Sequence, residues 1–436
     1  MKRRKSASVI SWEKIMATIF ASCARKIIGA AAALVLGCGF AVAQSGAPIK
    51  VGFSMALTGG VAPNGQQILI ALEIWRDDVN AKGGLLGRPV ELVYYDDQSN
   101  SSNVPGIYQK LLSVDKVDLL VGPYATNMVA PAMPIIMSQK KTTIGLLAIG
   151  INNHFKYPQY FSMVPAGPDG VKSFSEGYFQ IAAAQNPKPK TVAIVSADAE
   201  FAKTAAAGAR ANAIKHGFDI VYDKSYPPPT TEFTSVVRAV QAANPEVVFV
   251  AAYPPDTVGI VRAASEIGYT PKMFGGTMIG LLVTPLKAQL GPLINGITIM
   301  ESFVPAPTFK FPGLEAVLAE YRKRATGQKL DPFGYGFVPF GYAAGQVLAE
   351  AVTKTKSLDH EMIAQYIRAN KFSTVAGEVA FGPDGEWAES RTVFTQFRGV
   401  QPGNIEQFKD TERQVVVWPE KHATGKFIYP YADAKK

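Results

Sequence analysis

Cysteine is almost absent from this chain. Two occur among 436 residues, Cys23 and Cys38, and both precede residue 44. The rest of the sequence therefore has no thiolate nucleophile, no cysteine metal ligand and no disulfide, and must be held by a large packed core. Histidine is also rare: His154, His216, His360 and His422 are all there are. No His-Glu-x-x-His pair and no Gly-x-Ser-x-Gly elbow occurs, so the zinc-protease and nucleophile-elbow signatures are missing. His216, in AIKHGF, and His422, in PEKHATG, are expected at the surface. Charged residues make up 18% against 47% hydrophobic, a globular balance that excludes a disordered chain. At this length two domains of ordinary size are the default.

What is present begins with a targeting pattern. MKRRKSASVISWEKIMATIFASCARK is basic, IIGAAAALVLGCGFAVA (27–43) is apolar, and the run ends in Ala41-Val42-Ala43. A basic region, an apolar region and an Ala-x-Ala end describe a secretory signal peptide over 1–43. A membrane anchor is the alternative, and the apolar run is short for one; Met16 offers a second start. The net charge of +9 belongs mostly to this leader, which carries seven Lys/Arg and one Glu, so +3 remains without it. No nucleic-acid footprint is left. The expected localisation is the periplasm.

Beyond the leader, strand-like runs alternate with helical patterns. KVGFSM leads into a helix in which Ile68, Leu72, Trp75 and Val79 share one face while Glu73, Arg76 and Asp77 lie off it. NAKGGLLGRP ends that helix. VELVYYDD, a helix around VPGIYQKLLSV, VDLLVGP, a helix over about 126–140 and TTIGLLA complete a β-α-β-α-β-α-β order, the pattern of a doubly wound parallel sheet. After YFSMVPAGPDG the order restarts: helix 171–184, TVAIVSA, helix 201–216, FDIVYDKSY, helix 233–243, EVVFVAAY, helix 257–267 and KMFGGT. The expected fold is α/β, with two doubly wound parallel-sheet lobes. Helices near 313–325 and 335–353 return to the first. Ligands of such sheets sit at the carboxyl ends of the strands, so a crevice between the lobes is the default site.

The first such strand end carries MALTGGVAPNGQQ, 55–67. Gly60 and Gly65 have the spacing of a phosphate-binding loop. Gln66 and Gln67 stand where Lys and then Ser or Thr are required, so no cation meets the phosphates and no hydroxyl meets Mg²⁺. GGTMIG, 275–280, has Gly-Gly in place of Gly-x-Gly. No nucleotide, other cofactor or metal is expected. Asp96-Asp97 could form an acid pair or ligate a metal; ahead of QSNSSN it reads better as a capping and loop cluster. Asn64 and the N–H groups of its loop are expected to face the crevice.

Four blocks then carry a resemblance: IKVGFSMALTGGVAPNGQQILIALEIWRDDVNAKGGLLGRPVELVYYDDQSN, VDLLVGPYATNMVAPAMPI, YPPPTTEFTSVVRAVQAANPEVVFVAAYPPDTVGIVRAASEIG and VVVWPEKHATGKFIYPY. Together they resemble the Leu/Ile/Val-binding family of periplasmic solute-binding proteins, over essentially the whole chain past the leader. The resemblance implies the type I periplasmic-binding-protein fold: lobes 48–165 with 305–370 and 166–304 with 371–436, joined by three crossover segments near 163–167, 301–305 and 371–377. It implies a non-enzymatic monomer that closes on a small ligand and docks on the membrane permease of an ABC importer. Thr126, in GPYATN, matches the hydroxyl that holds the ligand's carboxylate at a helix start, flanked by Tyr124 and Ala125. Leu147 and Ala148 match a pocket wall where the family has a second hydroxyl and this chain has none. Phe201, Tyr253 and Phe337 match pocket aromatics, and Asn64 stands where relatives can carry another. Thr277, in FGGTM, departs most. Amino-acid-binding members carry an acid there to pair the ligand's ammonium, which Thr cannot neutralise, and an unpaired buried ammonium is costly. Asp198, Glu200 and Asp256 are the other acids that could be near.

The family default ligand is thus a branched-chain or related amino acid. The pocket residues favour instead a carboxylate with an apolar or aromatic body and no ammonium, or an amide. A ligand sensor for a separate receptor is the other class left open. A sensor fused within the chain would need a membrane helix after the module, and VVVWPEKHATGKFIYPYADAKK holds no such run.

Overall fold

The computed structural model describes residues 46–435; the expected signal peptide, 1–43, lies outside them. β1 (Ile49–Met55), β2 (Val90–Asp96), β3 (Leu119–Tyr124), β4 (Thr143–Leu146) and β5 (Tyr160–Met163) form one sheet in the order β2-β1-β3-β4-β5, every pairing parallel. α1 (Ala62–Ala81), α2 (Val104–Ser113), α3 (Thr126–Ser138) and α4 (Ile151–Phe155) connect them. Parallel connections must cross over the sheet, so helices cover both faces and central strands are apolar throughout. β3, LLVGPY, is buried along its whole length, whereas most of the edge strand β2 is only half-buried. Ile68, Leu72 and Trp75, on the shared face of α1, sink into the core on one side of the sheet. Tyr108 of α2 and Val129 of α3 fill the other.

The same winding recurs. β6 (Thr191–Ala197), β7 (Asp219–Tyr226), β8 (Val247–Ala252), β9 (Met273–Met278) and β10 (Thr298–Glu301) stand in the order β7-β6-β8-β9-β10, again parallel. α5 (Gly170–Ala183), α6 (Glu200–Lys215), α7 (Thr234–Ala242), α8 (Pro254–Glu266) and α9 (Thr284–Leu290) accompany them. β13 (Val393–Phe397) and β14 (Gln414–Trp418) then add antiparallel strands beyond β10. The fold is α/β with two doubly wound sheets, the second one mixed rather than wholly parallel.

α10 (Leu314–Ala325), α11 (Val338–Thr355) and α12 (His360–Ala369) return to the first sheet. Val338, Ala343 and Val347 share a core with Ile68 and Trp75. A Cβ on Gly345 would stand 2.3 Å from the Trp75 ring, so glycine permits this close helix contact.

Three stretches carry the chain between the sheets: 164–169, 302–313 and 388–392. The first and third run side by side. Arg391 N–H donates to the Pro165 carbonyl at 2.8 Å, and Ala166 forms a bridge with Ser390. Residues 371–377, expected to carry the third crossing, do not cross. They open the hairpin β11 (Phe372–Thr374) and β12 (Gly377–Val379), which buries Phe372, Val375 and Val379 in the first core. Phe372 meets Tyr366 of α12 edge-on at 6.1 Å. These apolar side chains find cover on the first sheet, so the chain leaves it only beyond them.

Candidate functional site

In a sheet wound 2-1-3-4-5 the connections leave the first and third strands toward opposite faces, opening a crevice at their carboxyl ends. This chain has two such switch points, and they face each other across a cavity of ≈ 390 Å³. Gly60 and Val61 follow β1 and Asn127 and Met128 follow β3; Ala199 follows β6 and Tyr253 and Asp256 follow β8. The loop 228–231 after β7 completes the wall. Volume and lining suit a small organic molecule.

The first wall is stapled by carboxylates. Asp96 Oδ1 accepts from the N–H groups of Leu57, Thr58 and Gln98, and Oδ2 accepts from the Thr58 hydroxyl at 2.6 Å. These bonds hold the Asp96 carboxyl below its ordinary range against the opposing effect of burial, which is the largest single influence. Asp97 accepts from Ser54 Oγ and Ser99 N–H, each at 3.0 Å, and burial pushes it up to about 6. Gln66 and Gln67 donate to carbonyls of their own loop, Leu57 and Pro63, both at 2.7 Å. The stretch 55–67 is a rigid strand-to-helix turn. Gly65 is where the helix crosses the strand end, its Cβ position only 2.2 Å from the Ala56 carbonyl oxygen.

The second wall element is the start of α3. Ala125, its N-cap, has φ +74°, a conformation that L residues rarely adopt and that concentrates at functional sites. No side chain caps α3; Met128 N–H donates to the Ala125 carbonyl at 3.0 Å, which leaves the Thr126 and Asn127 amides and the positive end of the dipole at the cavity wall. Thr126 is buried, and its hydroxyl accepts from Ile149 N–H at 3.1 Å. Its own proton is left to donate. Asn127 reaches across the cleft: Oδ1 accepts from Phe201 N–H at 3.0 Å and from Tyr253 Oη at 2.8 Å. On the far side the Phe201 and Tyr253 rings meet edge-on at 5.9 Å. Leu147, Tyr253, Leu282 and Tyr335 border both main cores and form an apolar seam between them.

The structure sorts the sequence candidates into groups. Ala125 and Tyr253 line the cavity, and Phe201 and Thr126 adjoin it. Asn64, Tyr124 and Phe337 form a buried layer: Asn64 Nδ2 donates to Tyr124 Oη at 2.7 Å, and the Tyr124 and Phe337 rings meet at 5.9 Å and 88°. Leu147 stands on the seam with φ +51°. Ala148 is fully buried in the core behind β4 and accepts from Ser162 Oγ. Thr277 is buried within β9, its hydroxyl without a partner. Asn127 and the loop 228–231 were missed, because nothing in linear spacing says what lies across a cleft. His216 and His422 are half-buried rather than at the surface; His216 Nε2 stands 3.2 Å from Glu176, and His422 packs on Phe309.

A profile of the periplasmic binding protein family matches residues 48–401. The chain belongs to this family. The Leu/Ile/Val-binding protein of Citrobacter freundii is 26% identical over 347 residues, covering 78% of this chain and 88% of that protein. The branched-chain amino acid transporter substrate binding protein of Streptococcus pneumoniae, solved with isoleucine, superposes with TM-score 0.69 at 19% identity over 85% of this chain and 100% of that one. A solute binding protein of an ABC transporter from R. palustris, solved with 4-hydroxybenzoate, gives TM-score 0.70 at 21% identity over 82% and 94%. Such periplasmic binding proteins are the extracytoplasmic solute-binding components of ABC transporters. Among the described residues of this member, no helix is long and apolar enough to cross a membrane, and no group of three or more His, Cys, Asp or Glu could hold a metal.

Proposed function

We propose that this periplasmic binding protein captures a small carboxylate-bearing solute in the cavity and delivers it to an ABC permease when its two sheets close on it. Asn127 carries this reading. One side chain of the first body binds two donors of the second at the edge of the cavity, so access and closure are linked. We take the moving bodies as 46–163 with 314–387, and 170–301 with 393–435. Solute that touches both shifts an existing open–closed equilibrium toward closed. No Lys or Arg lines the cavity. A carboxylate would be held by the open amides of α3 and the Thr126 hydroxyl, a helix N-terminus being a natural anion site. The body of the solute would lie along Met128, Tyr253 and Phe201. Isoleucine and 4-hydroxybenzoate, held by the two structural relatives, share only a carboxylate and an apolar body.

A thermal-shift screen of the protein against amino acids, aromatic acids, short-chain acids and amides tests the reading. A true ligand at a hundred times its Kd adds about 2.7 kcal/mol of stability. A panel in which no carboxylate or amide raises the melting temperature refutes it.

A further inference from the structure

We propose that the chain carries a second binding site, for a small organic anion, beside the crossings between the two bodies. It centres on the Arg391 guanidinium and is separate from the solute cavity.

A cavity of ≈ 400 Å³ opens there, matching the solute cavity in size. Its walls come from every part that meets at the crossings. Phe311 belongs to the second crossing and Lys371 and Glu378 to the hairpin. Trp387, Glu389 and Arg391 lie along the third crossing, and Lys421 and His422 follow β14. The two cavities differ in charge. No Lys or Arg lines the solute cavity, whereas Lys371, Arg391 and Lys421 line this one.

Arg391 is held in place without its donors being used. Its backbone is pinned to Pro165, and its guanidinium carbon lies 4.7 Å from the centre of the Trp387 ring and 5.0 Å from that of Phe311. Ring contacts fix a cation but leave its N–H groups unspent. Gly377, at φ +90°, makes the room, because a Cβ there would collide with Arg391 Nη1 and with the Phe311 ring. Among the described residues the guanidinium makes one long hydrogen bond, Nη2 to the Glu378 carbonyl at 3.4 Å, and no ion pair. Five donors thus meet one weak acceptor. Burial brings Arg391 down only to about 10, so it remains a cation at neutral pH. Lys421 has no acid partner among the described residues either. The two acids of the wall are engaged with Lys371: Glu378 accepts from its ammonium at 2.9 Å, and the charge of Glu389 acts on it too. Trp387 Nε1 and His422 Nδ1, on side chains of the same wall, are buried without a partner.

A planar fork of free N–H groups is matched by the oxygens of a carboxylate or a phosphate. The indole, phenyl and imidazole rings around it are matched by an apolar body. The occupant is therefore an organic anion rather than a bare ion, with Lys421 adding a second positive charge at the rim.

Calorimetry tests this with phenyl phosphate, benzoate, inorganic phosphate and the neutral benzyl alcohol, on native protein, Arg391→Gln, Lys421→Gln and Thr126→Ala. We expect phenyl phosphate or benzoate to bind native protein at least tenfold more tightly than benzyl alcohol or inorganic phosphate. Arg391→Gln should weaken that binding tenfold or more, and Thr126→Ala should leave it within about twofold. Arg391 also braces the hairpin, so Lys421→Gln, an exposed change, supplies a reading independent of folding, with a loss of about threefold. Binding of neither organic anion overturns the proposal. Binding that survives both Arg391→Gln and Lys421→Gln but falls with Thr126→Ala also overturns it, since the anion then sits in the solute cavity and supports solute capture instead. Inorganic phosphate binding as tightly as phenyl phosphate overturns the apolar half of the site.

Discussion

Thr126 combines two duties in one hydroxyl. It accepts the Ile149 N–H, pinning the turn after β4, and keeps a proton to donate at the mouth of an uncapped helix. Thr126→Ala should weaken carboxylate binding by about 1–3 kcal/mol, the cost of losing a hydrogen bond to a charged group, and Thr126→Ser should restore most of it. Unchanged affinity of the alanine variant in calorimetry would take Thr126 out of the site. At this scale the sequence is legible where a motif repeats a local geometry. GPYATN reads as strand, turn, helix start, and Ala125 and Tyr253 both reach the cavity wall. It is silent where two remote residues meet. That Asn127, Phe201 and Tyr253 share one oxygen depends on how two sheets face each other, which no spacing encodes.

Between elements, Asn127 is the polar link from α3 to the start of α6 and α8. Each hydrogen bond it accepts contributes about 1 kcal/mol net. Asn127→Ala should therefore lower the closed population of ligand-free protein by roughly tenfold or more. Small-angle scattering should show a larger radius of gyration, and every ligand should weaken by a similar factor. An unchanged radius would mean that the apolar seam alone holds the bodies together. α5 and α6 pose a different constraint. A Cβ on Gly208 would lie 2.0 Å from the Val171 carbonyl oxygen. Alanine gains about 1 kcal/mol of helix propensity over glycine, yet the clash should leave Gly208→Ala destabilised by about 1–3 kcal/mol in urea melts. A stabilised variant would show that the two helices separate at no cost.

For the whole molecule, buried carboxyls set the response to pH. Glu386 stands where the third crossing begins, 2% exposed, with neither carboxylate oxygen hydrogen-bonded. Burial, reinforced by the charge of Asp384, pushes it up to about 8. Glu301, at the end of β10, is raised by burial to about 7 despite Lys287, and Asp97 to about 6. An acid whose folded pKa is raised lends its full stability below the unfolded value, near 4, and loses it as pH climbs to the folded value. His360 works in the opposite direction. Burial depresses it to about 4, so its share is present above 6.5 and is lost as pH falls through 4. The melting temperature should peak on the mildly acidic side and drop by on the order of several degrees from pH 6 to 8.5. Glu386→Gln should flatten that slope, and a melting temperature that rises over the interval would contradict the assignment.

The sequence by itself determined the alternation of strand and helix, its restart after residue 163 and the departure from the phosphate-loop pattern at Gln66 and Gln67. These are local properties, set by which face of each element is apolar and by which side chain stands at which turn. The tertiary structure alone decided that the hairpin at 372–379 stays with the first core, that β13 and β14 extend the second sheet, and that Asp256 rather than residue 277 brings an acid to the cavity. Each of these follows from non-local packing. An apolar strand is equally content on either sheet until its neighbours are in place, and which acid reaches a cavity is settled only when every wall around it is in place.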